Sequence, residues 1–211
     1  CVKFITGENE RCVSMSFDKE ASIKQLERAK HFIRSYERIK QRKIPFKYSS
    51  KNELVWEGKR EDGTTFTNAL RIGTAKSSGF GRGDDISFLH LTEVSMATNL
   101  DQLLAGVGEA VVRNTIVSLE TTANGYNEFK TFWDEASAGA RGYNALFYSP
   151  EWEYDKEFID RKKAELGRLF DQEFPMTPEL AFIASGNLYF DREALQDYLK
   201  TTKEVKTING W

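Results

Sequence analysis

Asp85-Ile86-Ser87-Phe88-Leu89-His90-Leu91-Thr92-Glu93 is an apolar run that ends on a carboxylate. Thr115-Ile116-Val117-Ser118-Leu119-Glu120-Thr121-Thr122-Ala123-Asn124-Gly125 is a second apolar run that ends in a small polar turn. Two buried parallel strands of one sheet, each delivering polar groups at its carboxyl end, have this appearance. Residues 95–108 between them read as a helix, so the stretch is a strand–helix–strand unit. Such units build a mainly parallel sheet covered by helices.

Working outward, Phe4-Ile5-Thr6 and Cys12-Val13-Ser14-Met15-Ser16 are short apolar runs that predict strands, with a polar turn between them. Asp18 is placed as an N-cap. Ile23, Leu26, Ala29, Phe32, Ile33, Tyr36 and Ile39 then recur at helical spacing, which predicts one long amphipathic helix from Lys19 to about Lys43, stopped near Pro45. Residues 54–56 and 64–72, separated by the turn 58–63, predict a β-hairpin, and residues 73–83 a glycine-rich loop. Downstream, Tyr126, Phe129, Phe132, Trp133 and Ala136 mark a helix. Residues 145–148 predict a third strand, and 155–166 and 191–202 further helices. The fold class is therefore α/β.

A chain of 211 residues has ample length to bury a core. Its 40% hydrophobic and 29% charged residues are an ordinary globular balance. No apolar stretch approaches membrane-spanning length and the first residues lack a signal-peptide layout, so the expected compartment is a cytoplasm. Cys1 and Cys12 are too few for a disulfide framework or a zinc site, and His31 and His90 too few for a histidine metal centre. A net charge of −2 argues against a basic surface over the whole protein. Lys40-Gln41-Arg42-Lys43, with Lys47 and Lys51, has two readings: a local DNA-contacting stripe, or a helix end whose cations suit the negative pole of the helix dipole.

Several residues could carry chemistry. Glu93 lies directly beyond a strand's carboxyl end, where α/β enzymes keep functional groups. It could polarise a water for in-line attack on a γ-phosphate, or simply open a helix. Thr92 can offer a hydroxyl to magnesium, as a weaker partner than an anionic oxygen. Arg82, in Gly79-Phe80-Gly81-Arg82-Gly83, could neutralise a transferring phosphoryl group, or pair with Asp84 or Asp85. Thr121, Thr122 and Asn124 could detect a phosphate or the attacking water; the other reading is a strand-end turn with a helix cap at Asn124 or Asn127. Gly125 would supply an unusual backbone angle. His90 alternates with core residues and reads as packed. Phe147-Tyr148-Ser149-Pro150-Glu151-Trp152 could stack nucleic-acid bases or form a core edge. Nothing suggests a serine–histidine triad or a nuclease carboxylate cluster.

In this order and spacing, from about Val13 to Tyr198, these stretches resemble the ATPase domain of a tailed-phage terminase large subunit. The matching elements are Gly81-Arg82-Gly83, Phe88-Leu89-His90-Leu91-Thr92-Glu93-Val94 as a Walker B strand, and Thr121-Thr122-Ala123-Asn124-Gly125 as a coupling motif. The aromatic stretch 147–152 and Glu173-Phe174-Pro175-Met176-Thr177-Pro178-Glu179-Leu180-Ala181-Phe182 complete them. The resemblance implies a P-loop NTPase-like sheet of the ASCE class, carrying a β-hairpin insertion. It implies Glu93 as catalytic glutamate, Arg82 acting on a neighbouring subunit, and Thr92 supporting magnesium. Thr122 and Asn124 would couple hydrolysis to movement of a DNA-gripping region. ATP and Mg2+ are the implied cofactors. The implied partners are double-stranded DNA, a portal protein, a small terminase subunit and further copies of the chain, in a host-cell cytoplasm.

No Walker A loop precedes the first strand; Lys76-Ser77 alone matches its lysine–serine pair, without the strand–loop–helix order. The sequence ends at Trp211, where the resemblance implies continuation into an RNase H-like nuclease. The expectation is thus an incomplete ATPase domain over residues 1–185, with 186–211 a helical linker toward an absent nuclease. Two other readings remain: a superfamily-2-like helicase core, or a non-catalytic assembly or DNA-binding module.

Overall fold

The computed structural model describes residues 1–74, 85–109, 111–185, 197, 198 and 201. The chain divides into two compact units, Cys1–Thr122 and Ala123–Trp211. The first contains α1 (Val2–Thr6), β1 (Arg11–Ser16), α2 (Lys19–Lys40), β2 (Phe46–Ser49), β3 (Glu53–Lys59), β4 (Thr65–Thr74), β5 (Ile86–Thr92), a 3-10 turn (Val94–Met96), α3 (Leu100–Gly108) and β6 (Val111–Glu120). Its six strands form one sheet in the order β2-β3-β4-β1-β5-β6. β4, β1, β5 and β6 run parallel, and β2 and β3 join antiparallel at one side.

α2 begins where the Asp18 side chain accepts from the Ala21 N–H, and ends at Gln41, whose left-handed backbone (φ 48°) stops the helix ahead of Pro45. Its buried residues, Ser22, Leu26, Ala29 and Ile33, form one stripe. Ile23, Phe32 and Ile39, which the helical spacing assigns to the same face, are exposed instead. The stripe joins Phe4, Leu54, Trp56, Phe66, Leu70 and Ile72 in the core.

The predicted hairpin is present as β3 and β4, and it is no appendage, because the far side of β4 pairs parallel to β1. Gly58 of β3 leaves room for the Phe66 ring opposite it; a Cβ there would lie 2.1 Å from that ring. Phe4-Ile5-Thr6, expected as a strand, lies instead within the five-residue helix α1. The Phe4 carbonyl finds its partners in side chains rather than in a neighbouring strand: Trp56 Nε1 donates to it at 2.7 Å and Asn68 Nδ2 at 3.0 Å. Asn68, fully buried, also donates to Gly7 O and accepts from the Glu10 N–H, pinning the α1 turn to the sheet. The four residues of β2 are all exposed, so this edge strand carries no apolar alternation for a sequence reading to detect.

In the second unit α4 (Glu128–Ser137) is capped by Asn127, one of the two cap positions expected. Among its described residues there follow a 3-10 turn (Pro150–Trp152), α5 (Lys156–Leu166), a second turn (Gly167–Leu169), α6 (Phe170–Glu173) and α7 (Pro178–Ala184). Phe129, Phe132 and Trp133 of α4 pack with Phe182 and Tyr143. The strand expected at 145–148 does not form. Leu146 and Tyr148 stay exposed, and no strand is present among the unit's described residues for them to pair with. The helix expected at 191–202 lies almost wholly outside the described residues. Among the described residues no helix is long and apolar enough to cross a membrane.

Candidate functional site: the carboxyl ends of β5 and β6

β5 and β6 pair in register with His90 opposite Ser118 and Thr92 opposite Glu120. Ile86, Leu89 and Leu91 of β5 are buried as expected. β6 departs from the expectation of a buried strand: it is outermost in the sheet as described, and Ile116 is 54% exposed. Because side chains alternate along a strand, His90 and Thr92 share a face, which they share with their cross-strand partners Glu120 and Ser14 of β1.

On that face a polar chain runs across three strands to α2. Ser14 Oγ lies 2.8 Å from Gln25 Oε1 and 2.9 Å from His90 Nδ1. His90 Nε2 stands 3.2 Å from Glu120 Oε2. A carboxylate only accepts, so Nε2 is the donor. The buried Thr92 hydroxyl donates to Glu120 Oε1 at 2.7 Å. The His90 hydrogen bond, aided by Thr92 and by the nearby Arg28 charge, holds the Glu120 carboxyl down at about 2, against the opposing effect of burial. His90 is therefore packed, as expected, and also bonded at both ring nitrogens.

Glu93 follows directly. Its backbone is left-handed (φ 59°, ψ 36°) and its side chain exposed, between buried Thr92 and buried Val94 and Ser95. It does not open the long helix, which starts only at Leu100 with Asn99 as cap. It precedes a single 3-10 turn to which its side chain contributes no capping bond. For a residue with a Cβ this conformation costs roughly 1–2 kcal/mol. Such backbone outliers collect at functional sites.

The end of β6 is fastened to this turn. Thr121 Oγ1 accepts from the Ser95 N–H at 3.2 Å, and lies 2.7 Å from Ser95 Oγ and 2.9 Å from the Thr122 carbonyl. Thr92, Glu93 and Thr121 are thus brought together, and Thr122 ends the first unit as an exposed residue. Asn124 belongs to the second unit, where it is exposed. Beside it Gly125 takes the unusual angle expected (φ 63°), and its N–H donates to Ser185 Oγ at 2.9 Å. Arg82 and the Lys76-Ser77 pair lie outside the described residues.

Glu120, and the support that Gln25 and Ser14 give His90, escaped the sequence reading. The available signal was a charged residue closing an apolar run. Only the register shows that this charge stands opposite Thr92.

Solved structures share this arrangement of sheet and helices. A variant of the large terminase ATPase domain of Thermus phage P74-26 matches with a TM-score of 0.54 at 12% identity, over 86% of this chain and 80% of that one. The fold is that of a terminase ATPase domain. The large terminase of a thermophilic bacteriophage matches with a TM-score of 0.54 at 14% identity, over 78% of this chain and 39% of its own length. A further structure of that terminase, in complex with ADP, matches with a TM-score of 0.52, over 38% of its length. The terminase-like chain therefore spans well under half of that protein. No protein-family model matches the sequence, and no curated protein does. The terminase ATPase fold is α/β and mainly parallel, of the ASCE P-loop type expected.

Proposed function

We propose that this chain is part of a viral DNA-packaging terminase large subunit and contributes to ATP hydrolysis that drives double-stranded DNA into a procapsid. The observation that carries this reading is the left-handed backbone of Glu93, directly beyond a buried parallel strand and beside the fastened end of the next. That position lets an exposed carboxylate reach a bound phosphate while its neighbours stay locked in the core. Glu93 orients and polarises the water that attacks the γ-phosphorus. Thr121 holds the end of β6 against the turn that carries Glu93, while Thr122 and Asn124 pass the state of the site on to the following unit. Arg82 acts on the site of a neighbouring copy.

Among the described residues no group of three histidine, cysteine or acidic side chains could hold a metal alone. Magnesium does not require one, since it is often bound by one or two carboxylates, substrate phosphates and water. Thr92 donates its proton to Glu120, which leaves its oxygen lone pairs available, so the residues present fit a cation completed by phosphates. Bound there, magnesium would neutralise charge on the transferring phosphoryl group.

Residues 1–185 are assigned to the ATPase portion and 186–211 to a linker toward a nuclease domain. DNA, a portal protein, a small terminase subunit and further copies of the chain are the partners in this reading, in the host cytoplasm. Titration with a fluorescent ATP analogue tests the nucleotide site in the chain itself. In the reconstituted motor, Glu93→Gln should lower turnover at least a hundredfold while sparing analogue binding. Retained turnover, or a variant indistinguishable from wild type in every assay, would support a non-catalytic module instead.

A further inference from the structure

We infer that Glu120 supplies the negative charge of a divalent-cation site whose first oxygen is the Thr92 hydroxyl. This rests on the nucleotide-site reading above and adds to it a residue on a different strand. Thr92 stands where a strand-end carboxylate would be the better magnesium ligand, and a neutral hydroxyl alone is a poor anchor for a hard cation. The register sets Glu120 directly across from it, and the two side chains meet at 2.7 Å. The hydroxyl donates along that contact, so its lone pairs face away from Glu120. The carboxylate retains lone-pair positions beyond those used by Thr92 and His90.

The rest of the polar chain has the form of outer support. His90 contacts the other carboxylate oxygen at 3.2 Å, and is itself held through Nδ1 by Ser14, which meets Gln25 of α2. Partners that orient a ligating carboxylate in this way fix its direction and tune its affinity for metal. The carboxylate side chain is 62% exposed, which leaves it accessible to an arriving cation. Arg28 on the neighbouring exposed face of α2 reduces the attraction without removing the charge. The negative charge that the Thr92 hydroxyl lacks is carried, in this chain, by the adjacent strand.

The test uses Mn2+ as the magnesium probe, followed through loss of its free-ion electron paramagnetic resonance signal on titration with the full chain. One Mn2+ should bind and be displaced by excess Mg2+. Glu120→Gln removes the charge and keeps one acceptor oxygen, the other being replaced by an amide N–H2, and should weaken Mn2+ binding at least tenfold; Thr92→Val should weaken it about threefold. Circular dichroism and a melting curve confirm that each variant is folded. Wild-type chain that binds no Mn2+ at millimolar concentration, or a folded Glu120→Gln variant that binds as well as wild type, overturns the inference. Glu120-dependent Mn2+ binding without ATP-analogue binding would leave the cation site standing and remove the nucleotide reading. Analogue binding with Mn2+ affinity indifferent to Glu120→Gln would do the reverse.

Discussion

The two sides of β1 are built on opposite principles. On the β4 side, the hairpin buries Leu54, Trp56, Phe66 and Leu70, and its one fully buried polar side chain, Asn68, is bonded at both its oxygen and its nitrogen. On the β5 side, the carboxyl ends gather Ser14, His90, Thr92 and Glu120 into a hydrogen-bonded chain, and the next residue along β5, Glu93, adopts a backbone that a side chain resists. One side stores stability; the other spends some of it to hold polar groups in place. The same sheet thus separates the residues that keep it folded from those gathered at the candidate site.

The largest expected effect falls on the hairpin side. Trp56 is 3% exposed, meets the Phe66 ring edge-on and donates to Phe4 O, so Trp56→Ala removes aromatic packing and one of the two hydrogen bonds to that carbonyl. It should cost about 3–5 kcal/mol in denaturant unfolding. A loss under about 1 kcal/mol would break the comparison, because it would mean that the stability of the sheet resides elsewhere.

Glu93 should behave in the opposite way. Glycine takes a left-handed backbone freely, so Glu93→Gly should be more stable than Glu93→Ala by about 1 kcal/mol, although glycine loses more entropy on folding. Both variants should be inactive in the motor. Equal stability of the pair would show that the backbone at Glu93 carries no strain.

The smallest effect concerns the Glu120 charge. Its carboxyl sits at about 2 instead of its ordinary 4.5, so the unfolded chain takes up the proton first as pH falls. The hydrogen bonds that hold the Glu120 carboxylate therefore contribute fully above about pH 4.5, and the contribution is lost as pH drops toward 2. Solvent screens the exposed carboxylate, so the difference between wild type and Glu120→Gln should be about 1 kcal/mol at pH 7. That difference should shrink through the same acidic window in urea unfolding measured against pH. A pH-independent difference would assign the effect to hydrogen bonding rather than to charge.

Much of this fold is legible in the chain wherever local signals agree. β1, β3, β4 and β5 follow from apolar runs, α2 from its spacing and Asp18, and α4 from its aromatic spacing and Asn127. The misreadings share a cause. Phe4-Ile5-Thr6 has strand composition, but side chains from distant strands satisfy its carbonyl, and residues 145–148 have strand composition without a neighbour to pair with. The exposed Ile23, Phe32 and Ile39 show that apolar spacing marks a helix without deciding which stripe the sheet covers.

The same division runs through the candidate site. The sequence alone determined that Thr92, Glu93 and Thr121 stand at the ends of two parallel strands, because residues that close an apolar run must emerge where the strand leaves the core. Only the tertiary structure decided that Glu93 is left-handed, that Thr121 fastens the turn beyond it, and that Glu120 meets Thr92 and His90. Those facts depend on register between strands some thirty residues apart. A slip of one residue would send Glu120 to the opposite face, and nothing local to either strand prevents it. The packing of the whole sheet does.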